Sequence, residues 1–140
     1  MKKIIIILLT LLLNLSPVYA AKWYKVTDKS YVDLNSLQMY NELPYLYNST
    51  AYIFWVKTLN DKSNHFINLE KIYNKKIWYS LNRVIIDCSS TRLTVKSVFY
   101  YDLQNQLINS QEESSYQLVW VSIPPDSIAS WYYDWVCKSR

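Results

Sequence analysis

His65 is the only histidine in the chain. Any Ser-His-acid arrangement, or any histidine-held metal, would have to be built on it. A metal site needs several ligands, and a triad needs a base oriented by a third group. No motif around His65 supplies either, so it reads as a solvated loop residue. Asp33, Asp87, Asp102, Asp126 and Asp134 offer carboxylates for paired acid–base work. Asp33, Asp102 and Asp126 stand where turns and caps favour Asp, and Asp134 falls on the polar side of a helical pattern. Glycine is absent. A phosphate-cradling loop, a dinucleotide fingerprint and a nucleophile elbow in their usual forms are therefore excluded. The residues point away from an enzyme and call for no cofactor or metal.

Binding is the chemistry the composition favours. The chain has 14 Tyr and 6 Trp, the residue types that dominate interaction hot spots. Tyr40, Tyr45 and Tyr47 flank Pro44 in a polar context and are candidates for a surface patch. Trp55, Trp120, Trp131 and Trp135 lie in apolar patterns and read as core. Lys71, Lys75, Lys76 and Arg83 cluster along "EKIYNKKIWYSLNR". Such a run is ordinarily a solvated face; in a binding protein it can meet acidic glycans or a protein partner. The net charge of +4 is too small for the footprint of a nucleic-acid binder.

The start of the chain sets the compartment. "MKKIIIILLTLLLNLSPVYA" has a basic beginning at Lys2 and Lys3, an apolar stretch from Ile4 to Leu13, and Val18 and Ala20 at cleavage positions. This is the pattern of a secretory signal peptide over 1–20, too short in its apolar part to span a bilayer. The expected mature chain is a single domain over 21–140. It carries no transmembrane segment and no cysteine for a lipid at its start. Its expected location is the periplasm, the cell surface or the medium. Export makes the cysteines informative, because an oxidising compartment favours pairing Cys88 with Cys137.

These residues need elements to hold them. "KWYKVTD" and "SYVDLNSL" read as short strands around a turn at Asp28-Lys29. "STAYIFWVKTLND" is the clearest strand, and "KIWYSLNRVIIDC" and "RLTVKSVFYYD" follow, divided at Ser89-Ser90. In the last of these, alternation places Leu93, Val95, Phe99 and Tyr101 on one face and Arg92, Thr94 and Lys96 on the other. "YYDLQNQLINSQ" reads as a hairpin turning near Asn105, and "SYQLVWVSI" as the final strand. "HFINLEKIYNKK" fits a short helix or a strand equally, and the stretch around Pro44 fits a loop or irregular edge. Without glycine, tight turns are expected to use Asn, Asp or Ser.

After Pro124 and Pro125, with Asp126 or Ser127 as cap, Ile128, Trp131, Tyr132, Trp135 and Val136 recur at helical spacing. Cys137 lies off the centre of that stripe. Either the helix loosens before it or the bridge enters from the flank. Ser130 stands where a capping box has Glu or Gln, so no box is expected. The fold class is α+β: one antiparallel sheet of about six strands, with a C-terminal helix packed on it and tied by a disulfide.

The ordered set "YVDLNS", "FWVK", "DCSSTRLTVKSVFYYD", the Trp of "LVWVSIPPDS" and the closing "WVC" resembles the surface-adhesin protein E family of exported bacterial proteins. The likeness runs from about Trp23 to Cys137. It implies the same sheet, helix and disulfide. It also implies a surface protein that binds host matrix or plasma proteins. The leading expectation is thus an exported, non-enzymatic protein-binding domain. The alternative is a periplasmic inhibitor or immunity-like protein acting on a cell-envelope enzyme. The oligomeric state, a dimer included, is left open.

Overall fold

The computed structural model describes residues 20–42 and 50–139. The signal-peptide pattern therefore lies outside the described residues, apart from its last residue, as do Tyr45 and Tyr47. Strands β1 (Trp23–Lys25), β2 (Ser30–Asp33), β3 (Gln38–Met39) and β4 (Ala51–Leu59) come first. Helix α1 (Asn64–Tyr73) follows, then β5 (Tyr79–Asp87), β6 (Arg92–Tyr101), β7 (Leu107–Glu112) and β8 (Val121–Ser122), and α2 (Ile128–Tyr133) closes the series. All pairings are antiparallel, and the main path is β1-β2-β4-β5-β6-β7. Short β3 pairs beside β4, and β8 beside β6.

Both helices pack on one face of the sheet. Residues directly opposite in register share a face, so Phe54, Val56 and Val84 line that side of β4 and β5. With Val32 and Ile86 they receive Tyr132 and Val136 from the C-terminal segment. Farther along the same face, Phe66 and Ile77 close on Tyr100, with Leu69 and Tyr73 beside them. The ambiguous "HFINLEKIYNKK" is thus helical. Phe66, Leu69 and Tyr73 form its inner stripe, and Asn74 at φ 49° ends it in the left-handed region. Glu70 pins α1 to the sheet by accepting from the Ile77 N–H (3.0 Å) and the Asn60 amide (3.1 Å). On the opposite face, Tyr40, Ala51, Ile53 and Ile85 form a smaller core against Leu118 and Trp120.

The C-terminus is anchored three ways. Cys88 and Cys137 are bridged, with Cα atoms 5.7 Å apart. Tyr132 and Val136 are buried in the main core, and the Tyr132 hydroxyl meets Ser30 Oγ at 2.6 Å. The helix does loosen before Cys137: Asp134–Lys138 form a π-helical turn, whose wider winding changes the direction of the side chains that follow. The expected lack of a capping box is corrected. The Ser130 hydroxyl reaches back to the Ser127 N–H (3.0 Å) while Ser127 Oγ accepts from the Ser130 N–H (3.1 Å). A serine fills the role because its short side chain lies within reach of the cap backbone.

Three further expectations are corrected. The odd-numbered residues of β6 do not share one face. Val84 pairs with Val95 but Arg83 with Ser97, so Lys96 is the extra residue of a β-bulge and the alternation reverses across it. Leu93 and Val95 face the helices, whereas Phe99 and Tyr101 face away; Thr94 and Lys96, read as the polar side, are buried. "SYQLVWVSI" is strand only at Val121–Ser122, because Leu118 and Trp120 are drawn onto the smaller core. Finally, turns use Asn74, Asn105 and Asp126 in the left-handed region as expected, but also Lys62 and the β-branched Thr91.

Candidate functional site

At the β4–β6 centre, the sheet face away from the helices carries the half-buried Trp55, Lys57, Arg83, Phe99 and Tyr101 around the buried Tyr79 and Ser97. Trp55 lies opposite Arg83, Lys57 opposite Leu81 and Leu59 opposite Tyr79. Ser97, Phe99 and Tyr101 extend these rows onto β6. The result is a field of aromatic rings: Trp55 and Phe99 at 5.8 Å, Tyr79 stacked on Tyr101 at 4.9 Å, and Trp78 edge-on to Tyr79 at 5.4 Å. Two cations sit among the rings. The Arg83 guanidinium lies 5.5 Å from the Trp55 ring centre, and Lys57 Nζ lies 4.2 Å from Tyr79 and 5.6 Å from Trp78.

Both charges at the β4–β5 centre of this face are positive. Lys25, Lys76, Arg92, Lys96 and Lys138 each lie within 4.0 Å of a carboxylate oxygen. Among the described residues, Arg83 and Lys57 make no such ion pair, nor do Lys22, Lys29, Lys62, Lys71 and Lys75; Arg83 and Lys57 differ in lying against aromatic rings. Cation–ring contacts hold a charge in place without neutralising it. Burial, and then the neighbouring Tyr101, push the Tyr79 hydroxyl above its ordinary range. The Tyr79 hydroxyl donates to the Asn105 side chain. Glu112 closes the Arg83–Ser97 row on β7, two strands from Arg83, and its carboxylate turns to Lys96 at 3.8 Å.

A second concavity lies on the helix side. A cleft of about 410 Å³ opens between α2 and the sheet, floored by Val56, Val84, Leu93 and Val95. Ile128 walls it and is 45% exposed, so the first member of the helical stripe is not buried. Lys71, Lys75 and Lys76 border a shallow depression of about 340 Å³ on the outer side of α1. Lys76 is paired there with Glu70 at 3.0 Å. Glu70 is held below the usual carboxylate range, chiefly by the Ile77 N–H and then by Lys76.

The structure divides the expected site. Lys71, Lys75 and Lys76 are together and exposed, but Arg83 is on the opposite face of the sheet, because its neighbours Asn82 and Val84 are the residues that face the cleft. Tyr40 is not a surface residue. It is 7% exposed, packs in the smaller core, and its hydroxyl meets Ser115 Oγ at 3.1 Å. Trp120, Trp131 and Trp135 do pack against the cores. Trp55 is half-buried on the face away from the helices, because it alternates with the buried Phe54 and Val56. Lys57, Trp78, Phe99 and Tyr101 were missed. Their signal was visible in Trp55-x-Lys57 and Tyr79-x-Leu81-x-Arg83, where a charge recurs at period two with aromatic residues inside an otherwise apolar strand.

His65, expected in a loop, lies instead in the first turn of α1; it is exposed, with Nε2 3.4 Å from the Tyr100 hydroxyl. Among the described residues, no group of three or more His, Cys, Asp or Glu is placed to hold a metal ion. Asp33 and Asp102 hold turns by accepting backbone N–H groups. Asp134 is exposed and paired with Lys138. Among the same residues, no helix is long and apolar enough to cross a membrane. The sequence matches no protein-family model and no curated protein.

Proposed function

We propose that this chain is an exported, non-enzymatic binding domain that meets matrix-type ligands through the sheet face away from its helices. The observation that carries the reading is the set of Trp55, Phe99 and Trp78 around the buried Tyr79, with two cations, Arg83 and Lys57, that make no ion pair among the described residues, on the face away from the helices. Rigid amphipathic rings with fixed charges are what interaction hot spots are made of. The disulfide supports export, since such bonds persist in oxidising compartments.

The test joins location to contact. Protease shaving of intact cells should cleave the protein, and immobilised matrix and plasma proteins should capture it. Lys57→Gln with Arg83→Gln should abolish capture while leaving the thermal melt unchanged. Capture that persists in the double variant would overturn the reading. A protein inaccessible on intact cells that co-purifies with an envelope enzyme would replace it by the inhibitor alternative.

A further inference from the structure

We infer that the ligand class of this sheet face is an acidic polysaccharide, one whose sugars carry carboxylate or sulfate. This rests on the reading above and narrows it. Three features of the face converge on that chemistry. First, its two cations are unpaired among the described residues and are fixed by the rings beneath them. An Arg guanidinium so placed keeps donors free for bidentate contact with a carboxylate or sulfate. Second, Arg83 is across from Trp55, and Lys57 is two residues along the same strand from Trp55. Diagonal neighbours of this kind stand roughly 7–8 Å apart, so one ligand chain can meet both cations. Third, the rings offer apolar faces with polar edges, the Trp78 indole and the Tyr101 phenol among them. A pyranose has the complementary form, an apolar C–H face inside a rim of hydroxyls. Trp78, 44% exposed, is the most accessible of these rings.

An extended anionic chain also suits the shape. The face is a broad sheet surface with a small hollow of about 70 Å³ beside Trp55 and Arg83, so a polymer can lie along it. Glu112, two strands from Arg83, sets a negative limit at the β7 side. The lysines around α1 are on the other side of the sheet and are not part of this contact.

The experiment uses the full exported chain with heparin, a polyuronate, neutral dextran, an acidic peptide and a single-stranded oligonucleotide as probes, at two salt concentrations. Heparin and the polyuronate should bind, and dextran should not. Lys57→Gln with Arg83→Gln should weaken heparin binding tenfold or more and flatten its salt dependence. Trp78→Ala should weaken it several-fold at both salt concentrations. Lys71→Gln with Lys75→Gln and Lys76→Gln should change it by less than twofold. In the unaltered protein, heparin should protect Lys57 from acetylation but not Lys71 or Lys75, a readout that does not depend on any variant folding. Three results would overturn the inference: loss through the α1 lysines alone, equal binding of the oligonucleotide or peptide, or no protection of Lys57. If matrix proteins stripped of their glycans are still captured through Lys57 and Arg83, the glycan assignment fails and the broader reading stands. If nothing is captured through this face, both fail.

Discussion

Removing the Cys88–Cys137 bridge should destabilise the domain by about 4 kcal/mol. The bond joins residues separated by 49 positions, and closing a loop of that length removes about 14 cal/mol/K of entropy from the unfolded chain. Cys88→Ala with Cys137→Ala, or reduction of the unaltered protein, tests the figure. Urea melts followed by Trp fluorescence give the stability and its urea dependence. The urea dependence should steepen, because the unbridged unfolded chain exposes more surface. The fold should survive, since Tyr132 and Val136 remain buried in the main core and domains of this size ordinarily have ~5–15 kcal/mol in hand. Val136→Ala separates global from local effects. It removes two methyl groups from a fully buried site, worth about 2 kcal/mol with its cavity. That loss should be the same with and without the bridge. If the Val136→Ala effect vanished in the reduced protein, the helix would have left the sheet. A change of less than about 1 kcal/mol on reduction would refute the entropic argument.

Phe54→Ala should destabilise by ~3–5 kcal/mol, since the ring is 1% exposed and meets Tyr132 and Trp135 edge-on, whereas Lys138→Ala, at an exposed site, should leave the same urea melts unchanged. Ser30→Ala should lose ~1–3 kcal/mol by leaving the buried Tyr132 hydroxyl unpaired, and adding Tyr132→Phe should restore part of it. Thr91→Asn should raise stability by roughly 0.5–1 kcal/mol, because a β-branched residue at φ 53° is strained where Asn is tolerated. Burial raises the Asp87 carboxyl, but hydrogen bonds from Ser89 and Ser90 outweigh it and the net position is below the ordinary range. A depressed carboxyl stabilises above its unfolded value near ~3.9 and loses that contribution as pH falls. Asp87→Asn should therefore melt lower than the unaltered protein at pH 7, and the gap should begin to close near pH ~4 and shrink further as pH falls through the lower folded-state value.

The antiparallel strands and the C-terminal helix were legible because their signals are local. A continuous apolar run from Ala51 to Val56, turn residues at Asp28-Lys29 and Asn105, and an i, i+3, i+4 stripe after two prolines each act over a few residues. What was not legible depends on other strands. The Lys96 bulge exists because Val84 and Arg83 pair with Val95 and Ser97, and nothing within "RLTVKSVFYYD" announces it. One inserted residue then exchanged the faces of Phe99 and Tyr101. Ser130 was discounted as a cap partner on residue type, while cap geometry only requires an acceptor within reach of the Ser127 N–H.

The site was hidden by a different ambiguity. Period-two alternation says which residues of a strand share a face, but both faces of β4 are apolar: Phe54 and Val56 on one, Ile53 and Trp55 on the other. Which face is covered is decided by where the helices land, and both land with Phe54. The charges in these strands, Lys57 and Arg83, carried the missing information. Burying them unpaired under a helix would be prohibitively unfavourable, so a face that includes both must stay accessible to water or to a ligand. The sequence cluster of Arg83 with the α1 lysines was an accident of chain proximity. The three-dimensional cluster of Arg83 with Trp55, Lys57 and the β6 aromatics follows from register, and it makes this part of the sheet the surface on which the proposed binding should first be tested.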